Sequence, residues 1–169
     1  KTGHHSENPG MRQVSASAPR HLLIVYHSQT GHTRTMAKAV LRGARRVSEV
    51  ETRLRMALRA GLADLLWAHG LLLGTPENFG YMSGALKNFL DRTYYPAQGK
   101  VDGLPYAVFI SAGNDGRGAL SSIERVARGY PLKPVCEPII ARGELNAEVL
   151  RHCEELGETM ASGVAWGIF

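Results

Sequence analysis

Cysteine is scarce in this chain of 169 residues: there are two, Cys136 and Cys153, and they form no CxxC pair. That excludes a disulfide framework and a dithiol centre, and the spacing of His and Cys gives no metal-ligand set. Two reduced thiols, packed as small apolar groups in a strand and a helix, are expected instead. No apolar run approaches the roughly 20 residues of a spanning helix, and no apolar leader follows a basic start. Membrane insertion is therefore not expected, and a cytoplasmic location is. Aromatics are few, at 7%, and are not interleaved with the arginines, so no nucleic-acid surface is expected. GxGxxG and GxxxxGK[ST] are both missing, which excludes the two best-known glycine-rich nucleotide loops.

What is present is an ordinary globular composition, 44% hydrophobic and 21% charged, sufficient for one domain with a real core. The formal charge is +5 and the pI about 9.5. Much of the positive charge lies early, at Arg42, Arg45, Arg46, Arg53, Arg55 and Arg59, and reads as a solvated basic face. It would also attract anionic partners. Residues 1–19, with His4-His5 and no periodicity, read as a disordered or tag-derived arm. The folded domain is expected over residues 20–169.

Strands and helices alternate along that domain. Leu22 to Val25 is a continuous apolar run, the mark of an interior parallel strand. After Gly31, Met36, Ala39, Val40, Gly43, Ala44 and Val47 recur at helical spacing. Val50 to Met56 alternates apolar with charged residues, as an edge strand does. A short helix over Gly61 to Trp67 leads to a second buried strand, Gly70 to Gly74. Thr75 to Ser83 reads as a long turn opening a helix with Met82, Ala85, Leu86, Phe89, Leu90 and Thr93 on one face, ended by Tyr94-Tyr95-Pro96. Tyr106 to Ser111 is the fourth strand. Leu120, Ile123 and Ala127 mark a fourth helix. Pro134 and Pro138 flank a fifth strand, which proline confines to a sheet edge. A last helix runs from about Glu144 to Val164. Two edge strands and three interior ones predict a three-layer α/β sandwich. Its five-stranded parallel sheet has the order 2-1-3-4-5, with helices on both faces.

In such a sheet a ligand lies beyond the carboxyl ends of the strands, where the order reverses. The loops after strands one, three and four converge there. The first, Ser28-Gln29-Thr30-Gly31-His32-Thr33, offers three hydroxyls and the free amides of a helix start, which suits a phosphate. Ser/Thr helix capping is the simpler use of such residues, and three hydroxyls in six residues exceed it. The absence of lysine and of both nucleotide fingerprints points to a monophosphate held by neutral donors. The second loop is Thr75 to Ser83, and the third, Ala112 to Gly118, carries three glycines. Strand one ends in His27-Ser28 and strand three in Gly74-Thr75, without the carboxylates a phosphoacceptor receiver domain needs.

The first loop resembles the flavin mononucleotide (FMN) phosphate loop of flavodoxin-like proteins, S/T-x-T-G-x-T. GTPENFGYMSGALKNFLDRT, Gly74 to Thr93, is similar to the flavin-ring loop and helix of WrbA-type NAD(P)H:quinone oxidoreductases. The similarity covers most of Leu22 to Val164. It implies that Ser28, Gln29, Thr30, Gly31, His32 and Thr33 hold the phosphate of FMN. Pro76, Glu77, Asn78, Phe79 and Gly80 would then run along the ring, and Ser111, Ala112, Gly113, Asn114 and Gly118 would wrap its other side. Phe79, Tyr81 and Tyr94 become candidates for substrate contact, with packing as their alternative. Asp115 reads as a turn former. The third loop is shorter than is usual in WrbA-type proteins. The resemblance further implies NADH or NADPH as electron donor, a quinone or similar small acceptor, no catalytic side chain beyond the flavin, and a homodimer. A flavodoxin acting as an electron carrier is the alternative; flavodoxins as a family are typically acidic, whereas this chain is basic.

Overall fold

The structure is a computed structural model that describes residues 18–169. The arm expected over 1–19, and with it His4-His5, lies outside the described residues except for Ala18 and Pro19.

Strand β1 (Arg20–Tyr26) is an interior strand of a parallel sheet. On one side it pairs with β2 (Val50–Met56), on the other with β3 (Gly70–Asn78), and β3 pairs in turn with β5 (Pro105–Ala112). The next position is shared by two short pieces, β6 (Lys133–Pro134) and β7 (Ile139–Arg142), which pair with the two ends of β5. Counting these pieces as one strand gives the expected order, a flavodoxin-like sheet. Proline explains the break: Pro134 and Pro138 cannot donate to a ladder, so the intervening residues leave it.

Alternation along the interior strands divides the core into two layers. Leu22, Ile24, Leu72 and Phe109 pack against α1 (His32–Ala44) and α5 (Ala147–Trp166). Leu23, Val25, Leu71, Leu73 and Val108 face α2 (Leu62–Trp67), α3 (Gly84–Ala97) and α4 (Arg117–Gly129). Both faces of the central strands are covered, which is why their sequence reads as continuous apolar runs. Among the described residues no helix is long and apolar enough to cross a membrane. Both cysteines are free, and burial pushes the Cys153 thiol up to about 12.

The segment after Gly74 departs from the expected turn. β3 continues to Asn78 and folds back antiparallel onto β4 (Tyr81–Met82), with Glu77 opposite Met82 and Asn78 opposite Tyr81. Phe79 and Gly80 both have positive φ, at 52° and 66°, the requirement of a two-residue hairpin of the I′ kind. Met82 is buried, but from this hairpin and not from the helix. The helix starts at Gly84, capped by the Ser83 side chain, which accepts the Leu86 N–H at 3.2 Å. It also runs past Tyr94-Tyr95 to Ala97, with Pro96 in its last turn.

At the amino end of the sheet a stack of rings closes the edge. The Arg53 guanidinium lies 3.9 Å from the Trp67 ring centre. Trp67 stacks on His21 at 4.1 Å, and His21 on His69 at 5.1 Å. The His21 backbone N–H donates to Nδ1 of His69 at 2.9 Å.

Candidate functional site

The carboxyl end of the sheet is organised by how two helices begin. After β1 the chain turns through residues 27–31. Gly31 adopts φ 107°, a conformation that favours glycine, and its N–H donates to Ser28 Oγ at 3.2 Å. α1 follows at once. No side chain caps it, and its first turn holds no acidic residue. The amides of that turn point out of the helix with its positive pole behind them.

α4 begins after Gly116, whose φ is also positive, and it too has no cap from the residue at that position. Here carboxylates from outside fill the first turn. Asp115 Oδ1 accepts the Arg117 N–H at 3.1 Å, and Glu77 Oε2 reaches over from the hairpin to accept the Ala119 N–H at 3.2 Å. Gly118 lies so close to the hairpin that a Cβ would stand 2.0 Å from the Gly80 carbonyl oxygen. Further links fix the hairpin. Thr75 Oγ1 accepts the Ser83 N–H at 2.9 Å, and Ser122 Oγ accepts the Met82 N–H at 3.0 Å. The Asn78 side-chain amide donates to Gln29 Oε1 at 3.1 Å, joining the second loop to the first.

These elements enclose a cavity of about 340 Å³. The first loop contributes Gln29, Thr30 and His32; the hairpin contributes Pro76, Glu77 and Asn78; the end of β5 and the residue after it contribute Ser111, Ala112 and Gly113. Nine of the residues singled out in the sequence thus line one space. Thr33 is buried behind it, its hydroxyl 2.8 Å from that of Ser111, and so ties the start of α1 to the end of β5. Ser28 and Gly31 shape the turn, and Gly118 is a contact between α4 and the hairpin. Asn114 is exposed on the third loop. Phe79 is fully exposed at the hairpin tip and Tyr81 is partly so; neither packs beneath the loop. Tyr94 is not brought into the cavity. It sits edge-on against Tyr95 and Tyr130, in a separate hollow between α3 and α4 with Lys87 and Arg125.

Two lining residues escaped the sequence reading: Gly143 and Glu144, which follow β7. The Gly143 N–H donates to the Ala112 carbonyl at 2.9 Å. Glu144 Oε2 then lies 3.6 Å from His32 Nε2, across the cavity mouth. The available signal was a glycine directly after the last strand, Arg142-Gly143-Glu144, in the place where the other site loops have theirs.

The class defined by this sheet order, with a cavity between the loops after β1, β3 and β5, is the flavodoxin-like α/β protein. Comparison with known proteins gives matches to the same fold and to parts of the sequence. The NADPH-dependent FMN reductase family matches residues 53–128. A flavodoxin from Aquifex aeolicus is 38% identical over 97 residues, covering 57% of this chain and 52% of the relative. An NAD(P)H dehydrogenase (quinone) from Acidithiobacillus ferrooxidans is 34% identical over 111 residues, 53% of this chain and 56% of the relative. The chain thus spans about half the length of the curated relatives it matches. Among solved structures, an archaeal flavodoxin superposes with TM-score 0.75 at 23% identity, covering 85% of this chain and 98% of its own. A WrbA-like flavodoxin from Agrobacterium tumefaciens gives 0.70 at 24%, covering 88% and 98%. The chain has the flavodoxin-like fold, and over about half its length its sequence is similar to a flavodoxin, to an NAD(P)H dehydrogenase (quinone) and to the FMN reductase family model.

Proposed function

We propose that this chain binds FMN in the cavity between α1 and the β3–β4 hairpin and uses it to pass electrons from NADH or NADPH to a quinone or similar small acceptor. The observation that carries the reading is the open start of α1: a helix of 13 residues with no capping side chain and no first-turn carboxylate, at the edge of the cavity. Such an end takes an anion without further device. The residues fit FMN in three respects. The donors of the first loop are neutral hydroxyls and amides, suited to one phosphate. The hairpin supplies backbone along one wall, and the short segment after β5 supplies it along another.

In this assignment the first-turn amides of α1 and the Thr30 hydroxyl hold the phosphate. The Asn78–Gln29 bond keeps the hairpin at a fixed distance from the phosphate loop. Glu77 holds the hairpin to α4, so that the backbone of residues 76–80 is presented in one conformation. FMN, when bound, supplies the hydride-accepting and electron-donating chemistry, and backbone donors beside it favour its reduced, more negative form. Exposed Phe79 and Tyr81 offer an apolar rim for an aromatic donor or acceptor. The NAD(P)H dehydrogenase (quinone) relative and the FMN reductase family support this reading.

The flavodoxin relative supports a second one, an electron carrier that exchanges electrons with protein partners. Mixing the FMN-loaded protein with NADH or NADPH and benzoquinone separates the two. Steady turnover is the result expected of the reductase. A bound flavin that neither nucleotide reduces identifies the carrier.

A further inference from the structure

Glu144 is a lining residue whose chemistry runs against a phosphate. The cavity wall holds two carboxylates, Glu77 and Glu144, and neither lysine nor arginine. Glu77 is occupied by the Ala119 N–H of α4. Glu144 has no such employment. Its side chain is 94% exposed, and its carboxylate lies 3.6 Å from the imidazole of His32, the first residue of α1. Gly143 takes a positive φ of 69° and its N–H is bonded to the Ala112 carbonyl, which brings the chain after β7 to the cavity. The exposed Glu144 carboxylate thus stands near His32, at the start of the helix whose own first turn holds no acidic residue.

We propose that Glu144 sets the affinity and selectivity of this cavity for phosphate-bearing flavin, by placing a competing negative charge at the phosphate end and engaging His32. The inference rests on the FMN reading above. An entering phosphate dianion meets the Glu144 carboxylate at short range and must take His32 from it. A flavin without phosphate meets no such opposition. Glu144 therefore weakens FMN binding selectively and keeps the cofactor exchangeable. Because the carboxylate is exposed, solvent screens it, and the effect is moderate.

The test is a pair of titrations, FMN and riboflavin, on the wild-type protein and on Glu144→Gln and Glu144→Ala. Both variants are expected to bind FMN about three- to tenfold more tightly, a range set by like charges a few ångströms apart in a largely aqueous dielectric. Riboflavin is expected to change less than twofold, and the FMN gain to shrink in 0.5 M salt. FMN binding that is unaltered in both variants, or equal gains for the two flavins, overturns the role of Glu144 while leaving the cofactor reading intact. If the wild-type protein binds neither flavin, the cofactor reading fails and this inference fails with it. Thermal melts of both variants within about 1 °C of wild type are expected, since Glu144 lies on an exposed loop and makes no buried contact.

Discussion

α1 and α4 start in nearly the same way and end up with opposite chemistry. Each begins after a glycine with positive φ, at the carboxyl end of a buried strand, with no cap from its own first residue. α4 is satisfied by the protein: Asp115 and Glu77 put carboxylates on its first-turn amides. α1 receives none and opens onto the cavity. A helix start left open is a cost to the fold unless something outside completes it. The difference separates a helix start satisfied within the protein from the one to which the proposed function gives a ligand, although both follow polar loops.

The largest effect that would break this comparison is Thr30→Glu, which gives α1 the carboxylate α4 already has. FMN affinity should fall at least 100-fold in a fluorescence titration while the fold is retained; an unchanged affinity would place the phosphate elsewhere. Gly118→Ala attacks the other side. Its Cβ would meet the Gly80 carbonyl at 2.0 Å, so the hairpin and α4 must separate. A loss of about 2 kcal/mol in urea unfolding is expected, the usual scale for overpacking. Glu77→Ala removes an external cap from α4. A cost of about 1 kcal/mol is expected. That lowers the melting temperature by about 2–4 °C in a chain of this size.

The smallest effect lies at the opposite end of the sheet, where His69 accepts the His21 backbone N–H. Burial, with Arg20 and His21 adding to it, lowers the pKa of His69 below the ordinary histidine value. Its Nδ1 must stay unprotonated to accept the His21 N–H. The unfolded chain then binds a proton at a pH where the folded chain does not. Stability is complete above about pH 6.5, the unfolded value. It declines as the pH falls from there toward the lowered folded value. His69→Asn keeps an acceptor and should remove that part of the decline, measured as melting temperature against pH between 7 and 5. An identical slope in variant and wild type would show that His69 does not titrate into the stability.

The sequence carried most of this fold because burial on two faces writes itself as apolar runs, and half-burial as alternation. Val50 to Met56 and Leu22 to Val25 are clear for that reason. The β3–β4 hairpin was hidden by its turn. Phe79-Gly80 lacks the Asn or Asp that usually announces two positive φ angles, so the segment read as loop. The first loop stood out because hydroxyls crowd a strand-to-helix turn, and the structure places its Gln29, Thr30 and His32 on the cavity. The contacts of individual residues were not legible: the Thr33 hydroxyl is bonded to that of Ser111, and Gly118 lies against Gly80. Glu144 was missed because its only signal was the glycine before it; the Gly143 N–H is bonded to the Ala112 carbonyl, beside the cavity that both residues line.

In the proposed function the open start of α1 receives the phosphate of a flavin. Titrating the purified protein into FMN and following flavin fluorescence tests it most directly. Saturable quenching at micromolar protein, lost in Thr30→Glu, is the predicted result. No saturable change with wild-type protein would contradict it.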